Sequence, residues 1–181
     1  MTRPTTRAAA LLLLVAVALA ACGTSGPTPS PVATAPATAG PGATPAPCGR
    51  VDVMATSDGW GAAAGSRGAD VTVENVGSNA CVLPPVPTAA FLDATAAAIL
   101  QTPPRVGGMP LTLEPGGSAT FSLVASNWCG LAALPVAVVV ALAADTVPIA
   151  GLPIESADDL PPCMGEGQPS TLTTTDWQPA S

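Results

Sequence analysis

Four cysteines, Cys48, Cys81, Cys129 and Cys163, constrain what this chain can fold into more than any other feature. They are dispersed along the sequence, far from the close Cys-x2–4-Cys pairs from which a tetrahedral zinc site is built. Wide spacing fits two disulfides, the staples that small exported domains use when the core is lean. The core expected here is lean: Ala and Val dominate, and the 181 residues contain two Phe, three Trp and no Tyr. Each bridge is expected to contribute about 2–4 kcal/mol by restricting the unfolded chain. Four cysteines allow three connectivities. The expected one joins Cys81 to Cys129 and Cys48 to Cys163, the second bond tying together the two ends of the domain.

Between the cysteines the pattern is that of strands. In Asp70-Val71-Thr72-Val73-Glu74 the valines share one face and the polar residues the other, a half-buried strand. Asn75-Val76-Gly77-Ser78-Asn79 supplies turn chemistry, and Cys81-Val82-Leu83 resumes an apolar segment. Leu111-Thr112-Leu113, then Glu114-Pro115-Gly116-Gly117, then alternating Ala119, Phe121 and Leu123 predict a hairpin about a type II turn. Within Pro135–Leu142 the near-continuous run of Val136, Val138, Val139 and Val140 predicts a central strand covered on both faces. Arg50–Met54 reads as the first strand and Ser170–Trp177 as the last, with Thr171, Thr173 and Thr175 in phase with Trp177. About seven short strands separated by Pro/Gly turns predict an all-β domain, an immunoglobulin-like antiparallel β-sandwich stapled by disulfides.

A fifth cysteine, Cys22, has a different setting. Met1–Arg7 carries two arginines and no acid, Ala8–Ala18 is an unbroken apolar run, and Leu19-Ala20-Ala21-Cys22 follows. That order is an export signal, and its apolar stretch is shorter than the ~20 residues a membrane-spanning helix needs. The tetrad resembles the bacterial lipobox, which implies cleavage between Ala21 and Cys22 and a diacylglycerol on the Cys22 sulfur. Lipidating Cys22 leaves an even number of thiols for pairing. The expected product is a lipoprotein on the extracytoplasmic face of the cell membrane, its partner there being the bilayer itself.

From Gly23 to Pro47 the chain contains only Pro, Thr, Ala, Gly, Ser and one Val. Such a segment buries too little apolar area to offset the entropy of ordering. Its prolines favour an extended path, a spacer of up to ~80 Å at about 3.1 Å per residue. The expected plan is therefore a lipoprotein signal peptide at 1–21, the lipidated cysteine and a disordered stalk at 22–47, a β-sandwich at 48–178 and a tail at 179–181.

The domain also resembles a known family. Asn75-Val76-Gly77-Ser78, Cys81-x-Leu83, Leu113-x-Pro115-Gly116-Gly117-Ser118-Ala119 and the lone Cys129 and Cys163 are similar to the domain-of-unknown-function 4232 family. Those domains occur in actinobacterial secreted proteins and lipoproteins, often behind a Pro/Thr/Ala-rich linker. The resemblance spans roughly Cys48 to Trp177 and implies a fold and a compartment, with no activity attached. Two loops depart from the family pattern. Pro85-Val86-Pro87 replaces a Gly-aromatic-Pro, and Asp93-Ala94-Thr95-Ala96 lacks the glycine usual after the Asp.

Composition removes most chemistries. With no His and no Lys, the chain builds neither a Ser-His-Asp triad nor a Cys-His pair, a Ser-Lys dyad, a Schiff base or a P-loop. The local acid cluster of Glu155, Asp158, Asp159 and Glu166 reads as a solvated loop. Its alternative is a ligand- or metal-binding site across 155–166, although the spacing is not that of an EF-hand. Met54, Met109 and Met164, the last beside Cys163, read as packing rather than a copper(I) site. After the signal is removed, Arg50, Arg67 and Arg105 stand against twelve acids, a net charge of −9. Nucleic acid is not an expected partner of such a surface. Trp60 and Trp128 are candidates for contact with an envelope protein or glycan. The function expected is thus a non-catalytic envelope lipoprotein, structural or partner-binding, that uses no cofactor.

Overall fold

The computed structural model describes residues 44–129, 133–165 and 167–180. The expected signal peptide, Cys22, the stalk up to residue 43 and Glu166 lie outside them. The chain forms β1 (Ala46–Pro47), β2 (Val53–Ser57), β3 (Gly61–Ala63), β4 (Ser66–Asn75), β5 (Cys81–Leu83), β6 (Thr88–Leu92) and β7 (Ala98–Gln101). It continues through β8 (Leu111–Leu113), β9 (Ser118–Ser126), β10 (Ala137–Ala141), β11 (Thr146–Ala150), β12 (Thr171–Thr174) and β13 (Gln178–Pro179). One 3-10 turn, Ala157–Asp159, interrupts the strands. No helix among the described residues is long and apolar enough to cross a membrane.

The fold is all-β and sandwich-like. The main sheet runs β12-β9-β4-β2-β11-β10-β6-β7, with β3 continuing along β4 beyond β2 and β13 along β9. It coils until β12 lies against β6 and β7 at its other end, so that two layers enclose one core. The alternation read in the sequence builds this core directly. Val71 and Val73 of β4 and Ala119, Phe121 and Leu123 of β9 all point inward and are buried. Their register sets small against large: Ala69 faces Leu123, Val71 faces Phe121, and Val73 faces Ala119. From the opposite layer come Phe91 of β6 and Val138 and Val140 of β10, all buried. Each buried Val, Leu or Phe contributes about 1.5–3 kcal/mol. β10 lies between β6 and β11, and Val138, Val139 and Val140 are all buried, as the apolar run predicts, whereas Val136, read as part of that run, precedes the strand and is exposed.

A smaller sheet, β1-β5-β8, covers one end of the core with Leu83 and Leu113. The expected strand Arg50–Met54 is displaced, for Arg50–Asp52 form a turn with Val51 exposed and the strand runs Val53–Ser57. The structure departs from the sequence reading in three further ways. First, β8 and β9 do not pair: β8 joins β5, while β9 joins β4 in the main sheet. The type II turn between them exists, with Gly117 N donating to Glu114 O at 2.7 Å and Gly116 at φ 75°. It carries the chain from one sheet to the other rather than closing a hairpin. Second, the ladders are not all antiparallel, for β1 runs parallel to β5 and β2 parallel to β11. The latter pair approaches so closely that a β-carbon on Gly151 would stand on the Ser57 carbonyl oxygen. Third, Trp177 and Leu172 are buried while Thr171, Thr173 and Thr175 are exposed, so Trp177 is out of phase with those threonines.

Candidate functional site

Both disulfides form, and both join neighbours in the cysteine order. Cys48 is bonded to Cys81 and Cys129 to Cys163. The expected pairs, Cys81–Cys129 and Cys48–Cys163, are therefore wrong. The reason lies in the small sheet: β1 runs alongside β5, which places Cys48, the next residue, beside Cys81. Cys48 N also donates to Val82 O at 2.9 Å, extending that ladder into the bond. Ala46 and Pro47, read in sequence as the end of the stalk, are thus already part of the sheet.

Near this first disulfide, Asn75 is completely buried and ties two turns together. Its Nδ2 donates to Asn79 O and to Leu113 O, both at 2.9 Å, and its Oδ1 accepts from Gly77 N at 2.9 Å. Its backbone exchanges bonds with the type II turn, Asn75 N donating to Gly117 O and Gly116 N donating to Asn75 O. The Asn-x-Gly and Pro-Gly-Gly motifs are thus two halves of one hydrogen-bonded junction. The Asp93 turn is self-contained. One carboxylate oxygen accepts from Thr95 N, Thr95 Oγ1 and Ala97 N, and Ala96 takes φ 64°, where a glycine would be unstrained.

Trp60 and Trp128, far apart in sequence, meet on one residue. Both pack edge-on against buried Phe91, at centroid distances of 6.0 and 5.5 Å. Both are half-buried, and the Trp60 indole N–H is buried without a hydrogen-bond partner. Edge-to-face pairs of this kind contribute about 0.5–1.5 kcal/mol beyond area burial. The third tryptophan, Trp177, packs on Phe121 at 5.1 Å and donates from Nε1 to Pro84 O at 2.8 Å.

The acidic loop folds upon itself. Asp159 accepts from Glu155 N and Ser156 N at 2.9 Å, and the two backbone bonds hold its carboxyl below the usual range. Ser156 caps the same turn by accepting from Asp158 N, and Arg67 donates to the Asp158 carbonyl at 3.0 Å. No group of three or more His, Cys, Asp or Glu gathers to hold a metal among the described residues. Met54, Met109 and Met164 are separated along the fold and are exposed, so their reading as core packing is wrong. The Cys163 sulfur beside Met164 is committed to its disulfide.

One feature escaped the sequence reading. Thr44 and Pro45 lead into an open groove of about 500 Å³ walled by Pro47, Val82, Pro84, Pro85 and Pro110, with no charged side chain among its walls. A second hollow, lined by Met109 and Trp177, shares Pro85 and Pro110 with it. The cluster Pro84-Pro85-Val86-Pro87 was the available signal, but only the fold brings Pro45, Pro47 and Pro110 to it.

A family model described as Domain of unknown function (DUF4232) matches residues 48–178. The chain belongs to the DUF4232 family. No curated protein and no solved structure matches it. The DUF4232 match begins at the first disulfide cysteine and includes the Asn75 junction, both tryptophans on Phe91 and the second disulfide.

Proposed function

We propose that this DUF4232 protein is a non-catalytic lipoprotein of the cell envelope, its domain displayed from the membrane on a Pro/Thr/Ala stalk for structural or partner-binding work. One observation in the fold supports the reading above others. Ala46 and Pro47, at the start of the domain, pair with β5, and the next residue, buried Cys48, is bonded to Cys81, so the chain enters the domain at a point held by both a ladder and a covalent bond. The lipobox at Leu19–Cys22 provides the tether, and a chain without His, Lys or Tyr has few groups with which to do covalent chemistry at neutral pH.

The experiment is fractionation of cells expressing the full chain with and without Cys22→Ser, combined with labelling by a fatty-acid analogue. The native chain should label and sediment with membranes, and the variant should do neither. Equal membrane retention and labelling of the two would overturn the anchor. For the contact role, capture from envelope extract by the native chain should fall at least tenfold with Trp60→Phe and Trp128→Phe. Capture unchanged by these substitutions would remove the tryptophans from that role.

A further inference from the structure

We propose that Cys129–Cys163 is a thiol-exchange switch, opened by an external thiolate under conditions in which Cys48–Cys81 stays closed. Accessibility separates the two bonds. Cys48 and Cys81 are 3% and 4% exposed, whereas Cys129 is half-buried and Cys163 is exposed at the surface. Exchange requires a thiolate to reach one sulfur in line with the bond, and exposed disulfides are the ones that yield.

The surroundings of Cys129 suit the reduced thiol. Its sulfur lies 3.1 Å from Asn127 Oδ1 and 3.4 Å from the Gly165 carbonyl oxygen. Neither oxygen can donate a proton, but either can accept one, so a thiol at Cys129 has acceptors already in place. The exchange itself is balanced. A thiolate attacks Cys163 Sγ, a mixed disulfide forms there, and the electron pair of the broken bond leaves on Cys129 Sγ, which takes a proton from water. A second thiolate displaces Cys163, which is protonated in turn, and departs as the oxidised disulfide of the attacking thiol. Two electrons and two protons have then passed to the protein.

What the bond holds gives the exchange a consequence. Cys163–Gly165 is kept against the end of β9 by the disulfide and by Met164 N donating to Asn127 Oδ1 at 2.7 Å. Asn127 is buried in the left-handed region at φ 57°, and its Nδ2 donates to Gln168 O at 2.6 Å. Met164 in turn sits over Gly65, its Cγ 3.3 Å from the position a β-carbon there would occupy. Beside it an open crevice of about 410 Å³ reaches Ser126 and Asn127. With the bond open, the tie on Met164 itself among the described residues is its hydrogen bond to Asn127, next to the Gly167 N and Gln168 N bonds to Gly165 O, and release of Met164 uncovers Gly65 and Asn127.

The test uses the full mature protein in graded mixtures of reduced and oxidised glutathione, with alkylation at each step and peptide mass analysis. When half of Cys129 and Cys163 is alkylated, alkylation of Cys48 and Cys81 should be at least tenfold lower. Simultaneous opening of the two bonds, or earlier opening of Cys48–Cys81, would overturn the proposal. Hydrogen exchange supplies the second reading. Reduction should accelerate exchange at the Met164 amide at least tenfold while Val71 and Phe121 keep their protection. An unchanged Met164 amide would sink the switch even if the bond opens. In the Cys129→Ser, Cys163→Ser protein the fast exchange should be present without thiol and indifferent to it. Should that variant fail to fold, the alkylation pattern and the native exchange rates decide.

Discussion

The two disulfides close loops of nearly the same span, 33 and 34 residues. In the chain-entropy picture each therefore restricts the unfolded chain equally, by about 3.7 kcal/mol at 25 °C. Their native settings differ completely. Cys48–Cys81 is buried, continuous with the β1–β5 ladder and close to the Asn75 junction. Cys129–Cys163 lies at the surface, beyond the end of β9, where side chain–backbone bonds replace ladders. The difference teaches that loop span sets only the unfolded-state share of a staple's effect. What surrounds the sulfur decides whether the bond also belongs to the core.

The comparison can be broken by direct measurement. Replacing Cys48 and Cys81 together by Ala should cost about 5 kcal/mol in urea denaturation, the entropic share plus the packing lost around two buried sulfurs. The same replacement of Cys129 and Cys163 should cost about 3.7 kcal/mol, the entropic share alone. Equal losses would show that burial adds nothing. Asn75→Ala, which leaves the Leu113 carbonyl and Gly77 N–H without their partner, should cost about 2–3 kcal/mol by the same assay. Asn127→Ala, at the outer end, should cost about 1–2 kcal/mol, part of it from an alanine held at positive φ.

The smallest effect is expected from acid. The Asp159 carboxyl, in the turn before Cys163, is held below its ordinary value first by the Glu155 and then by the Ser156 backbone N–H. A carboxyl depressed on folding stabilises the folded state above its unfolded value near 3.8 and loses that contribution as pH falls through its folded value. Stability should thus decline below about pH 4, and Asp159→Asn should flatten that decline. An unaltered acid slope would show that the turn contributes nothing measurable.

Much of the fold was legible because it is written in period two. Val71 and Val73 against Asp70 and Glu74, the valines of β10, and Phe121 between Thr120 and Ser122 each declare a face. Two- and three-residue strands such as β1, β3 and β13 declare none, which is why about seven strands were expected and thirteen are found among the described residues. The turn at Pro115-Gly116 was read correctly as a turn and wrongly as a hairpin. Its chemistry fixes a reversal, but not which sheet receives the next strand. Disulfide pairing was hidden for a related reason, since it depends on β1 running parallel to β5 over two residues. The meeting of Trp60 and Trp128 on Phe91 depends on long-range strand registers, and no local pattern carries those. The acidic loop forms a surface turn at Asp158 and Asp159, capped by Ser156, a role the sequence reading did not assign.

The β1–Cys48 junction has a mechanical consequence. A pull applied along the chain ahead of Ala46 loads the short β1 ladder and then meets a covalent bond. Force passes from Cys48 straight to Cys81 and into β5, so the segment between them, including β2, β3 and β4, is never drawn out end to end. Stretched from both termini, the oxidised domain should yield roughly 110 Å less contour than the reduced one on account of that single loop. The strands between Cys48 and Cys81 are the ones tension cannot draw out.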